Sequence, residues 1–108
     1  MSVIDGATCN GSDITGCGQT PQTIAAGFGV FNVAIDAGTD TVYATNNDDA
    51  SVSVINGATC NRLVSSGCGL VAPKLAAGDY PDPIAVDPAV GTGYVGSQGG
   101  VSVIPLTP

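Results

Sequence analysis

The sequence contains no histidine, no glutamate and no tryptophan, and only Arg62 and Lys74 are basic. Without histidine, Ser/His/Asp and Cys/His nucleophile systems are excluded, along with the common zinc ligand sets. Without glutamate, any acid or base chemistry falls to the nine aspartates alone. A net charge of −7 offers a phosphate backbone almost no counter-charge, which argues against nucleic acid and anionic membrane as partners. Charged residues make up 10% of the chain against a usual quarter, too few for a long solvated helix or a coiled coil. No apolar run approaches the roughly 18 residues that cross a bilayer, so no membrane insertion is expected. The opening MSVIDGATC lacks the basic start and apolar stretch of a signal peptide, so any export signal is expected outside this sequence.

What the chain does have is small and β-prone. Sixteen glycines and a 44% hydrophobic content, carried mostly by Val, Ile and Ala, give enough apolar material to fold and point to an all-β class. It is also an internal repeat. Residues 2–46 laid over 53–97 at a constant offset of 51 give 18 identities in 45 positions without a gap. The shared blocks are SVI-x-GATCN, GCG and AAG, followed by Ala34, Asp36, Thr41 and Tyr43 against Ala85, Asp87, Thr92 and Tyr94. A third copy opens at Ser102-Val103-Ile104, displaced by 49 from the second, because the preceding connection is two residues shorter.

Within one period, four short runs read as strands and none shows the 3.6 period of an amphipathic helix. They cover 31–35, 41–45, 51–55 and 74–77, and turn-rich segments separate them at 36–40 and 46–49. Asn56-Gly57 after the third run is the strongest short hairpin signal in the chain. Four antiparallel strands in a period of about fifty residues match one blade of a β-propeller. The chain then divides into a third and fourth strand over 1–27, a complete blade over 28–78, and first to third strands over 79–108. That is about two blades per chain. Propellers need about four to eight blades, so the ring is expected to be completed by oligomerisation.

The residues Thr41-Val42-Tyr43-Ala44-Thr45-Asn46, then Ser51-Val52-Ser53-Val54-Ile55-Asn56-Gly57, with Val33-Ala34-Ile35-Asp36 upstream, resemble the YVTN β-propeller repeat of bacterial proteins and of archaeal surface-layer proteins. The second copy departs from that pattern with Gly93 in a strand and Gly96-Ser97 at its close. The resemblance implies the propeller fold, but not an activity, since propellers host many.

Each repeat carries Cys-x7-Cys between its third and fourth strands, as Cys9 with Cys17 and Cys60 with Cys68. Structural zinc sites use shorter spacings and often histidine, whereas seven intervening residues followed by glycine suit an insertion stapled at its base. Two local disulfides are therefore expected, each stabilising by about 2.5 kcal/mol on the chain-entropy model. Such bonds imply an oxidising compartment, extracellular or cell-surface. The insertions are expected to lie outside the strand ladder, so that reduction lowers stability without abolishing the fold.

Asp36 and Asp87 fall where a first strand turns into a second, which suits turn capping, and Tyr43 and Tyr94 read as packing residues. The copies diverge most in two connections expected to share one face. Here Phe28, Phe31, Asn47, Asp48, Asp49, Asp79, Tyr80 and Asp82 are the candidate ligand-face residues. Their carboxylates form a candidate acidic rim whose oxygens are of the type that holds Ca²⁺, but no dedicated calcium-loop spacing exists and no metal site or cofactor is predicted.

The function expected is a non-enzymatic scaffold or protein-interaction module that self-assembles head to tail, as a trimeric or tetrameric ring or as a filament. Two alternatives are a metal-dependent, lactonase-like propeller enzyme with Asp ligands, and a lectin-like propeller stacking sugars on Phe28, Phe31 and Tyr80.

Overall fold

A computed structural model describes residues 1–106; Thr107 and Pro108, at the end of the 79–108 unit, lie outside the described residues. The protein is all-β and antiparallel. Among the described residues the nine strands are β1 (Ser2–Val3), β2 (Gln22–Thr23), β3 (Val30–Asp36), β4 (Thr41–Asn46), β5 (Ser51–Asn56), β6 (Lys74–Ala76), β7 (Ile84–Asp87), β8 (Thr92–Ser97) and β9 (Gly100–Pro105). They form a two-stranded sheet β1-β2, a four-stranded meander β3-β4-β5-β6 and a three-stranded meander β7-β8-β9. Sequential strands pair because every connection within a sheet is short or is closed by its own disulfide.

Period-two alternation decides which face each residue serves. On the four-stranded sheet, Ala44, Val42 and Ile55 face the two-stranded sheet and pack with Ile24, Met1, Val3, Cys60 and Cys68. Tyr43, Val52, Val54 and Leu75 face the other way, onto Ile84, Val86, Val95 and Ile104 of the three-stranded sheet. The molecule is thus three layers with two interlayer cores. Apart from Tyr43 and Leu75, the residues these strands of the four-stranded sheet turn to the two cores are small or β-branched.

Several expected boundaries shift. The fourth strand expected within 1–27 is assigned only at Gln22–Thr23, although Ile24 continues the pairing, its N–H donating to Met1 O at 2.9 Å and its carbonyl accepting from the Met1 amine at 3.2 Å while its side chain, 4% exposed, enters the core. The first strand begins one residue early at Val30, with a register shift between Val30 and Asn32. Asn56-Gly57 does not form a two-residue hairpin. The Asn56 side chain accepts from the Ala58 N–H at 2.9 Å and the Gly57 N–H donates to Asp40 O at 2.7 Å, so the dipeptide launches the cysteine insertion instead. Asp36 and Asp87 cap their turns, accepting from Gly38 N–H at 2.9 Å and Ala89 N–H at 3.0 Å.

The disulfides Cys9–Cys17 and Cys60–Cys68 both form, each with a Cα–Cα distance of 4.8 Å. Inside the loops, one asparagine organises the turn in both copies. Asn61 Nδ2 donates to Gly57 O at 2.8 Å while its Oδ1 accepts from Leu63 and Val64 N–H. Asn10 does the same with Gly6 O, Ser12 and Asp13. Gly16 and Gly67 are required because a Cβ there would overlap Thr8 or Thr59. The repeated blocks GATCN and GCG thus encode one loop conformation. The insertions lie outside the strand ladder but not outside the packing: Cys60 and Cys68 belong to the interlayer core, whereas Cys17 is exposed.

Candidate functional site

The two divergent connections come together at one end of the interface between the four-stranded and three-stranded sheets. The first pairs the segment entering β3 with the link from β4 to β5. That link is a 3₁₀ turn, Asn47–Asp49, ending at Ala50 in the left-handed region with φ 48°. Asn47 N–H donates to Gly29 O at 2.8 Å and Asp48 N–H to Phe28 O at 3.2 Å. Gly29 is needed here: it sits at φ +68°, and a Cβ would lie 2.6 Å from the Asp48 carboxylate. The second connection is closed by different bonds: Gln98, the equivalent of Asn47, donates its N–H to Asp79 O at 2.8 Å, and Asp82 N–H donates to Gly96 O at 3.0 Å.

Two side chains tie one connection to the other. Thr45 Oγ1 donates to Asp82 O at 2.9 Å, and Asn47 Nδ2 donates to Pro81 O at 3.2 Å. Thr45 and Pro81 are both buried at this junction. Asn47, Asp48, Asp79, Tyr80 and Asp82 therefore share one end of the molecule, with Phe28 and Phe31 beside them on the segment entering β3. Phe28, Phe31 and Tyr80 are exposed, and so are Asp48, Asp79 and Asp82.

Asp49 is differently placed. Its carboxylate accepts from Lys74 Nζ at 2.6 Å and from Ser51 Oγ at 3.3 Å, which turns it away from the other three acids toward β6. The Lys74 hydrogen bond holds the Asp49 carboxyl below its ordinary value of 3.8; desolvation opposes it, and the lysine charge and the Ser51 hydrogen bond add to the lowering. Among the described residues, no three Asp or Cys side chains gather into a metal-binding group. Tyr43 is no candidate nucleophile: burial pushes its phenol above the ordinary 10.0, so it stays protonated at neutral pH.

Sequence reading passed over Asn46, the most connected polar side chain in this region. It is fully buried; Oδ1 accepts from Gly27 N–H at 3.0 Å, and Nδ2 donates to Ser51 Oγ at 3.0 Å and Ser53 Oγ at 2.9 Å. One amide thus fixes the passage of the chain from one sheet to the next onto the strands of the second. Gly27 cannot be replaced without cost, since a Cβ would lie 2.6 Å from Asn46 Nδ2 and 2.7 Å from Asp49 Oδ2. In the second copy Ser97 stands at the equivalent position, and the equivalent Gly78 N–H is served instead by Ser102 Oγ at 3.2 Å. The available signal was the glycine of the AAG block shared by both copies, which implies close approach by something.

The arrangement is rigid where it is polar and buried, and exposed where it is acidic or aromatic. Its buried side-chain polar atoms all have partners among the described residues. Compared with known proteins, the chain matches no protein-family model and no curated protein.

Proposed function

We propose that this chain is a non-enzymatic β-propeller repeat module that acts by self-assembly, as a structural or protein-interaction element outside the reducing cytosol. The observation that carries the reading is the unequal strand count of the three sheets, two, four and three. A four-stranded meander is the repeating unit, and the flanking sheets are each short of it in complementary ways. Among the described residues, the three-stranded sheet has an unpaired β9 edge, and the two-stranded sheet has no first or second strand. An unpaired edge of this kind recruits another strand. A second copy supplies it head to tail, and two units per chain give six blades from a trimer or eight from a tetramer, with a filament if the rotation does not close.

Other features support the same reading. The repeat resembles the YVTN type, the two disulfides suit an extracellular or cell-surface setting, and the Thr45 and Asn47 side chains of the candidate site are spent on the chain's own backbone. Five strands compete for four slots at each junction, since β1 and β9 carry the same Ser-Val, so one of them is displaced on assembly. Size exclusion with light scattering tests the reading. Multimers of the 10.5 kDa chain are expected, and a stable 10.5 kDa species at micromolar concentration overturns it. Deleting residues 2–4 leaves the multimer intact if β9 holds the slot.

A second reading is favoured by one observation: Phe28, Phe31 and Tyr80 are exposed at the same end as three free carboxylates. A sugar-binding surface uses such rings for stacking. Glycan binding that is lost in Phe31→Ala and Tyr80→Ala would establish it.

A further inference from the structure

Resting on the self-assembly reading above, we infer that the contact between copies is made by two specific apolar faces: the outer face of the three-stranded sheet on one copy, and the groove beside the two-stranded sheet on the next. The first face carries Tyr94, Val101 and Val103, which are 42%, 66% and 66% exposed. Their repeat equivalents Tyr43, Val52 and Val54 lie in the core between the four-stranded and three-stranded sheets, with Tyr43 at 4% and Val52 at 1%. The same residue types in the same register are therefore covered in one copy of the repeat and bare in the next. Single exposed apolar residues need no explanation, but a contiguous set whose equivalents are core does.

The groove is the complementary half. The first and second strands are missing from the two-stranded sheet, so the face of β3 that they would cover is open. Val33 and Ile35 project from it into a groove of about 470 Å³, which Val42 and Ile55 also line. The repeat equivalents of Val33 and Ile35 are Ile84 and Val86. Those two pack, within this chain, against Tyr43, Val52 and Val54. The intramolecular contact is thus a template for the intermolecular one. Tyr94, Val101 and Val103 of one copy meet Val33 and Ile35 of the next as Tyr43, Val52 and Val54 meet Ile84 and Val86.

The occupant is committed by the geometry. The three-stranded sheet presents first, second and third strands, and the groove beside β1 and β2 is the space of a first and a second strand. Filling it brings β9 or its competitor β1 beside β2 and makes one continuous sheet, so face packing and edge pairing occur in a single docking. The contact is heterologous, because donor face and acceptor groove lie at opposite ends of the layer stack.

Complementary variants test it. Ile35→Asp places a charge in the groove and leaves the donor face intact; Val103→Asp does the reverse. Both positions are exposed in the single chain, so each variant retains the all-β circular dichroism spectrum and both disulfides. Val33→Asp and Val101→Asp serve as a second pair should either of the first misfold. Under conditions in which the native chain assembles, each variant alone is expected at 10.5 kDa, and an equimolar mixture at twice that mass, because one good donor and one good acceptor remain. Variants that still assemble overturn the assignment of these faces while leaving self-assembly in place. A mixture that stays at monomer mass overturns the head-to-tail polarity. A native chain that is itself monomeric overturns both this inference and the reading it rests on.

Discussion

Removing one disulfide at a time separates chain entropy from packing, because the two cross-links are equal in the first respect and unequal in the second. Both join residues eight apart, so the chain-entropy model assigns each the same stabilisation, about 2.5 kcal/mol. Cys60 and Cys68 are 5% and 3% exposed and touch Ile24, Ala44 and Ile55, whereas Cys17 is exposed. Cys60→Ala with Cys68→Ala therefore also removes two buried sulfurs from a packed core. Taking each sulfur as comparable to a buried methylene, the extra cost is about 1–2 kcal/mol from transfer and cavity together. The buried pair should cost about 4 kcal/mol, and Cys9→Ala with Cys17→Ala about 2.5 kcal/mol. For a chain of this length the difference corresponds to a further drop in Tm of about 6–12 °C. Thermal melts of the two double variants, followed by circular dichroism at one fixed protein concentration, measure it. Equal decreases in Tm, or a larger decrease for the Cys9 and Cys17 variant, would refute the argument that the second insertion belongs to the interlayer core.

Asn46→Ala should cost about 2–4 kcal/mol, because it takes a partner from the half-buried Gly27 N–H and from two buried serine hydroxyls. Asn46→Ser should cost less, as the serine at the equivalent Ser97 position indicates, and urea unfolding ranks the two. The Lys74 contact lowers the Asp49 carboxyl from 3.8, so its contribution to stability is fully present above that value and is lost as pH falls through the lower folded value. In Lys74→Gln the urea midpoint should therefore fall less between neutral pH and the acid range than in the native chain. An unchanged pH dependence would show that the contact contributes nothing.

How far the sequence spoke depends on the range of the interactions involved. Alternation at period two and turn composition placed β3, β4, β5 and β6 to within a residue at each end, because side-chain direction in a strand is a local property. The cysteine spacing identified both disulfides for a similar reason: closing a short loop involves few other residues. Asn56-Gly57 misled because its turn tendency is shared between a hairpin and the start of an insertion, and the bond from Gly57 N–H to Asp40 O, distant in sequence, selects the second.

The candidate site was legible as a place and not as a set of contacts. Divergence between copies marked the two connections, and the fold does bring Asn47 to Pro81 and Thr45 to Asp82. No sequence signal separates Asp49, bound by Lys74, from the exposed Asp48, Asp79 and Asp82, because the lysine is 25 residues distant and reaches it only through the pairing of β5 with β6. By itself the sequence determined the repeat, the strand alternation and the two cross-links, all of which rest on interactions within one period. Only the tertiary structure decided which equivalent residues are covered. Tyr43 and Tyr94 are the same residue in the same local setting, and they differ because burial depends on whether another layer lies against the sheet.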